Sequence, residues 1–133
     1  MTLTYMLDTD TVSFSLRGVG RVAQRLLEHL PSECCLSSIS LAELRFGVAR
    51  RKSRKLRTLV DTFADSVQVV PFDNAAAAAF GELAAELFAR GAPIGNFDTL
   101  IAAHARSLSL TLVTNNLKHF GRVPGLRLEN WVD

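Results

Sequence analysis

Thr4-Tyr5-Met6-Leu7-Asp8-Thr9-Asp10-Thr11-Val12-Ser13 runs an aromatic and two apolar residues straight into two carboxylates spaced two apart. Leu3 to Leu7 reads as a short strand. Side chains two apart on an extended chain share a face, so Asp8 and Asp10 repel each other. Something must offset that repulsion, and the end of a strand is where it can be supplied.

Outward from this stretch, short apolar runs alternate with helical patterns. Val22 to Leu30 reads as a helix closed by Pro31, and Cys34 to Leu36 as a second strand. Ile39 to about Arg51 and Leu56 to Phe63 read as helices, and the β-branched run Val67 to Val70 as a third strand. Asp73 caps a helix reaching Arg90, with Gly91 just past its end. Its Phe80, Leu83, Leu87 and Phe88 recur at helical spacing and are expected in the core, with a dimer face as the alternative. Phe97 to Ser107 is a further helix, Thr111 to Val113 a fourth strand, and Leu126 to Leu128 a fifth. This alternation predicts an α/β fold with a mostly parallel sheet covered on both faces, as a single domain over 1–133. In such sheets, sites form beyond the carboxyl ends of the strands, where the strand order reverses. Asp8 stands at the first of those ends.

The 133 residues suffice to bury a core, and an apolar content of 48% argues against disorder. No apolar run approaches the ~18 residues of a membrane span, so a soluble, cytoplasmic protein is expected. Cys34 and Cys35 are adjacent in a strand and are expected as reduced thiols, because vicinal disulfides are strained. His29, His104 and His119 lack zinc spacing. The net charge is only +2, yet Arg50, Arg51, Lys52, Arg54, Lys55 and Arg57 crowd together without an acid. Such a run is either a solvated helix end or a surface that meets phosphates.

Polar residues recur at the other strand ends. Ser40 and Glu43 make the S-x-x-E pattern of a capping box, and Glu43 could equally face a strand-end cleft. Asn96 is expected to cap a helix whose first turn holds Asp98. Thr114, Asn115 and Asn116 follow the fourth strand, as turn residues or as the rim of a cleft. Carboxylates gathered without zinc ligands call for a hard cation. Mg²⁺, with Mn²⁺ as a substitute, takes oxygen ligands and turns the repulsion of Asp8 and its neighbours into coordination.

The set LDTDT, SSISLAELRFG, IGNFDTLIAAHA and LVTNNLKHF, ending in VPGLRLENW, resembles the PIN-domain ribonucleases over nearly the whole chain. More narrowly it resembles the VapC toxins of bacterial toxin–antitoxin pairs, in the subgroup that cuts initiator tRNA in the anticodon stem-loop. The resemblance implies a three-layer fold with sheet order 3-2-1-4-5, a homodimer, a VapB-type antitoxin partner and an RNA substrate. It places the catalytic set at Asp8, Glu43, Asp98 and Asn116, with Asp8 and Asp98 on the metal. Many members carry aspartate where this chain has Asn116, which weakens any case for a second metal. Asp10, Thr114 and Asn115 would surround the ligands, although Asp10 could instead cap the following helix. Arg50, Arg51, Lys52, Arg54 and Lys55 would contact RNA. Two rivals stand beside this reading. Asp8-Thr9-Asp10-Thr11-Val12 fits the D-x-D-x-[VT] signature of haloacid dehalogenase-like phosphohydrolases, but no acid follows the fourth strand. An inactive module that binds RNA or antitoxin would explain Asn116, but not the retained carboxylates.

Overall fold

The computed structural model describes residues 2–133. Five strands form one parallel sheet in the order β3-β2-β1-β4-β5. They are β1 (Tyr5–Leu7), β2 (Cys34–Ser37), β3 (Gln68–Val70), β4 (Thr111–Val113) and β5 (Leu128–Glu129). The helices are α1 (Thr9–Arg17), α2 (Val22–Leu27), α3 (Ser38–Arg51), α4 (Arg54–Ser66), α5 (Asn74–Ala89), α6 (Asn96–Ser107) and α7 (Leu117–Phe120). The parallel sheet and its 3-2-1-4-5 order are as expected. No helix among the described residues is long and apolar enough to cross a membrane.

Strand side chains alternate between faces, and the core divides accordingly. Met6, Cys35 and Leu112 meet Leu83, Leu87, Ile101 and Phe120 on one side of the sheet. Leu7, Cys34, Leu36 and Val113 meet Val12, Val22, Leu44 and Val60 on the other. Two apolar faces on one sheet make three layers. Cys34 and Cys35 point to opposite faces and are free, and burial pushes their thiols up to about 11 and about 12.

Local chemistry explains where the elements differ from expectation. Helix α1 is made of poor helix formers such as Thr9, Thr11, Val12 and Ser13, so propensity does not announce it. Its start is fixed by the Asp8 side chain, which accepts from Thr11 N–H, and its end by Gly18 at φ 68°. Asp8 is therefore the cap, and Asp10 lies in the first turn instead. Helix α2 stops at Leu27, since Pro31 keeps Leu30 extended. Ser37, not Ser40, caps α3, and the Ser40 hydroxyl is buried inside the helix without a hydrogen-bond partner. Gly95 precedes α6 at φ 92°, a backbone that Asn96 would resist, so Asn96 becomes the first helical residue rather than the cap. In the α5 stripe Leu83 and Leu87 are buried and Phe80 is partly so, but Phe88 is exposed because its position turns away from α6 and the sheet.

The chain runs from β1 outward to β2 and β3, then returns through α5 and α6 to β4 on the other side of β1. Strand order thus reverses between β1 and β4. The ladder continues past the strands there, with Asp8 N–H donating to Val113 O at 3.0 Å and the Thr11 hydroxyl donating to the same carbonyl at 3.0 Å. This crevice is the position that such folds use for ligands.

Candidate active site

Asp8 is 5% exposed at the carboxyl end of β1. Thr11 N–H, 2.8 Å from Oδ1, and the buried Thr114 hydroxyl favour its charged form, but burial outweighs them and raises its pKa. Asp10 adds repulsion in the same direction. Glu43 sits one turn into α3, where Thr9 of α1 donates its hydroxyl to Oε1 at 2.5 Å. Its pKa is also raised, by burial first and then by the charges of Asp98, Asp10 and Asp8. Asp98 lies in the first turn of α6 and is raised by burial, opposed by His119. The tertiary fold therefore brings Glu43 of α3 into electrostatic range of both Asp8 and Asp98, which come from two other elements.

Asp10 belongs to this group more closely than its sequence position suggests. It is exposed, yet its charge raises Asp8, Glu43 and Asp98 alike. Asn116 is exposed and caps α7, its Oδ1 accepting from His119 N–H at 3.4 Å. Thr114 does lie against Asp8, and its hydroxyl accepts from Asn116 N–H at 3.0 Å. Asn115 faces the C-terminal segment, its Oδ1 accepting from Asn130 at 3.4 Å.

Two contributors escaped the sequence reading. His119 Nε2 lies 3.0 Å from Asp98 Oδ2 and 2.6 Å from Ile94 O. Both neighbours are acceptors, so the ring carries its proton at Nε2 and shares it between them. Thr9, the residue between the two acids, orients Glu43. Zinc spacing was the wrong filter for His119, because the ring steers a carboxylate instead of belonging to a cluster of histidines.

The oxygen-only donor set suits Mg²⁺, and its raised acids gain from a cation that lowers their cost. Among the described residues no three acidic, histidine or cysteine side chains are drawn tightly enough to hold an ion by themselves. Mg²⁺ does not need three, since one or two carboxylates with waters suffice. Thr9 and His119 meanwhile occupy one oxygen each of Glu43 and Asp98.

A groove of about 320 Å³ leads away from Thr9, Asp10 and Glu43 to Arg17, Arg50 and Arg51. Arg50, Arg51, Lys52, Arg54, Lys55 and Arg57 are all exposed, and none joins an ion pair among the described residues. Arg54, Lys55 and Arg57 even crowd the start of α4, where the helix dipole disfavours cations.

Residues 5–126 match the PIN domain family. This chain belongs to that family, in its VapC branch. It is 37% identical over 130 residues to the tRNA(fMet)-specific endonuclease VapC of Salmonella typhimurium, covering 97% of this chain and 98% of the relative. It is 39% identical to ribonuclease VapC2 of Rickettsia felis, covering 96% and 97%. Among solved structures, VapBC of Salmonella typhimurium bound to DNA superposes with a TM-score of 0.87 at 38% identity, over 97% of this chain and 98% of the other. VapBC2 of Rickettsia felis on a promoter DNA fragment gives 0.88 at 38% identity, over 98% and 99%. Membership in the VapC branch makes the chain a nuclease.

Proposed function

We propose that this VapC-family nuclease is the toxin of a toxin–antitoxin pair, a Mg²⁺-dependent endoribonuclease that cuts tRNA in the cytoplasm. Initiator tRNA is the foremost target, since relatives named for tRNA(fMet) match end to end. A VapB-type antitoxin is the expected partner, as in the complexes that share this fold, and a homodimer the expected assembly. The observation that carries the reading is the trio Asp8, Glu43 and Asp98, each raised by burial at a strand-end crevice beside a basic groove.

Asp8 and Asp98 would hold the ion, which when bound supplies neutralisation of the phosphodiester and a lowered pKa for water. The residues of the chain do the rest. Glu43, held through one oxygen by Thr9, presents the other to accept the proton of the attacking water. Its raised pKa brings it nearer the working pH of a base. His119, anchored by Ile94 O, fixes the orientation of Asp98. Asn116, exposed at the rim, offers hydrogen bonds to water or substrate.

Attack by water leaves a 5′-phosphate and a 3′-hydroxyl, whereas attack by the RNA 2′-hydroxyl leaves a cyclic phosphate. End-mapping of tRNA fragments formed with purified protein and Mg²⁺ decides between them. Cyclic phosphate ends, or equal cleavage in EDTA, would refute the mechanism.

A further inference from the structure

Helix α3 carries a stripe that runs along the site. Glu43, Phe46, Gly47 and Arg50 fall at i, i+3, i+4 and i+7, one face of a helix. Glu43 is at the carboxylate centre, and Arg50 lies in the basic groove. Phe46 between them is 67% exposed, an unusual state for a large apolar ring. Phe97, next to Asp98 in α6, is 56% exposed.

These exposures are not scattered. Phe46 and Phe97 line one apolar pocket of about 500 Å³, together with Thr9, Ala42 and Glu43. Of the three strongly exposed phenylalanines, two meet there, and only Phe88 lies elsewhere. Neither ring stacks on another aromatic ring among the described residues. Thr9, Glu43 and Phe46 belong to both the pocket and the basic groove, which makes the two one continuous surface.

We propose that this pocket receives an unstacked base of the RNA beside the cut, held against Phe46 and Phe97, while Arg17, Arg50 and Arg51 take the flanking phosphates. The inference rests on the ribonuclease reading and adds how the substrate is positioned. An apolar pocket joined to a row of guanidinium groups matches a chain in which planar, weakly polar bases alternate with anionic phosphates. Single-stranded RNA is recognised through bases splayed onto aromatic side chains, with cations tracking the backbone. The base would anchor the strand, and the neighbouring phosphodiester would then fall at Asp8, Glu43 and Asp98. A double-stranded substrate, its bases already stacked, could not use the pocket. The site therefore favours loops over stems.

The test uses the full chain and a single-stranded oligoribonucleotide that it cuts, with 2-aminopurine placed in turn on each side of the cut. Phe46→Ala and Phe97→Ala should each lower kcat/KM by about tenfold or more, through KM rather than kcat, the size expected for one lost stacking contact. Phe46→Trp should restore it. In an Asp8→Asn background, binding should raise 2-aminopurine fluorescence at one position as the base leaves its neighbours, and Phe46→Ala should abolish the rise. Unchanged kcat/KM and fluorescence in both alanine variants overturn the proposal while leaving the nuclease reading intact. So does loss of activity that Phe46→Trp fails to rescue. Alanine variants that cut normally but no longer self-associate would give the pocket to a second copy of the chain, and also overturn it. An unaltered chain that leaves the RNA intact sinks the ribonuclease reading and this proposal together.

Discussion

At the end of β1, buried Asp8 has its hydrogen bonds and still holds a raised pKa, with the Asp10 charge adding to the effect of burial and Glu43 within electrostatic range. At the end of the neighbouring β2, Ser37 and His104 are just as buried, yet balanced. The Ser37 hydroxyl accepts from Ile39 N–H at 3.1 Å and lies 2.9 Å from His104 Nδ1. Burial lowers the His104 pKa, so the ring is neutral at pH 7 and carries no uncompensated charge, with the Phe72 ring edge-on against it. Both clusters cost desolvation, but only one recovers that cost within the chain. A buried polar pair that satisfies itself is architecture, whereas a buried charge that does not marks a candidate functional site.

The largest expected effect breaks the Asp8 cluster. Asp8→Asn keeps shape but removes the charge that a hard cation needs, and should cut the rate by more than about a hundredfold, beyond what losing an outer contact costs. Asp98→Asn should do the same in the same Mg²⁺-dependent RNA cleavage assay. Stability should move the other way. Because the native pKa of Asp8 is raised, its protonated form favours the fold; that contribution is fully present below the unfolded value of about 4 and is lost as pH rises through the native value. In metal-free buffer Asp8→Asn should therefore melt at or above the parent at pH 7, and the gap should close toward about pH 4. Comparing parent with variant cancels His104, whose lowered pKa acts in the opposite sense. A variant that melts well below the parent at neutral pH would place Asp8 with the architectural pair.

Breaking the balanced pair should give the reverse pattern. His104→Leu strands the Ser37 hydroxyl and should cost about 1–3 kcal/mol in urea denaturation. Cleavage per folded molecule should stay normal. A variant of parental stability that no longer cut RNA would contradict the division drawn here.

His119→Ala releases Asp98 from its anchor without removing a carboxylate. A fall in kcat of about tenfold, with a weaker Mg²⁺ midpoint in thermal melts, is the expected scale for an orienting contact. Equal Mg²⁺ midpoints for parent and variant would show that Asp98 needs no such support.

The smallest effect belongs to Asp10. Its charge raises Asp8, Glu43 and Asp98, so Asp10→Asn should keep substantial activity and move the acidic limb of the pH–rate profile to lower pH. An inactive Asp10→Asn beside an active Asp8→Asn would reverse the ligand assignment.

Sequence alone determined β1 to β4 and the longer helices, because their signals are local, whereas β5 lies at Leu128–Glu129 and not over the expected Leu126 to Leu128. Alternating apolar runs place strand ends, and Asp73 and Gly91 bracket α5 within a few residues of chain. Asp8 was legible for the same reason, as an acid immediately after an apolar strand, whereas Glu43 and Asp98 lie inside α3 and α6 and were legible only as acids near helix starts. Tertiary structure decided what propensity could not. Helix α1 forms from residues that favour extended chain because Val12 is buried against the sheet and Asp8 caps it, so packing overrides local preference. It also decided partners. Thr9 and Glu43 lie 34 residues apart, and Ser37 and His104 lie 67 apart. Contacts at such separations leave no periodic trace along the chain, and the burial that raises Asp8 while lowering His104 exists only once both faces of the sheet are covered.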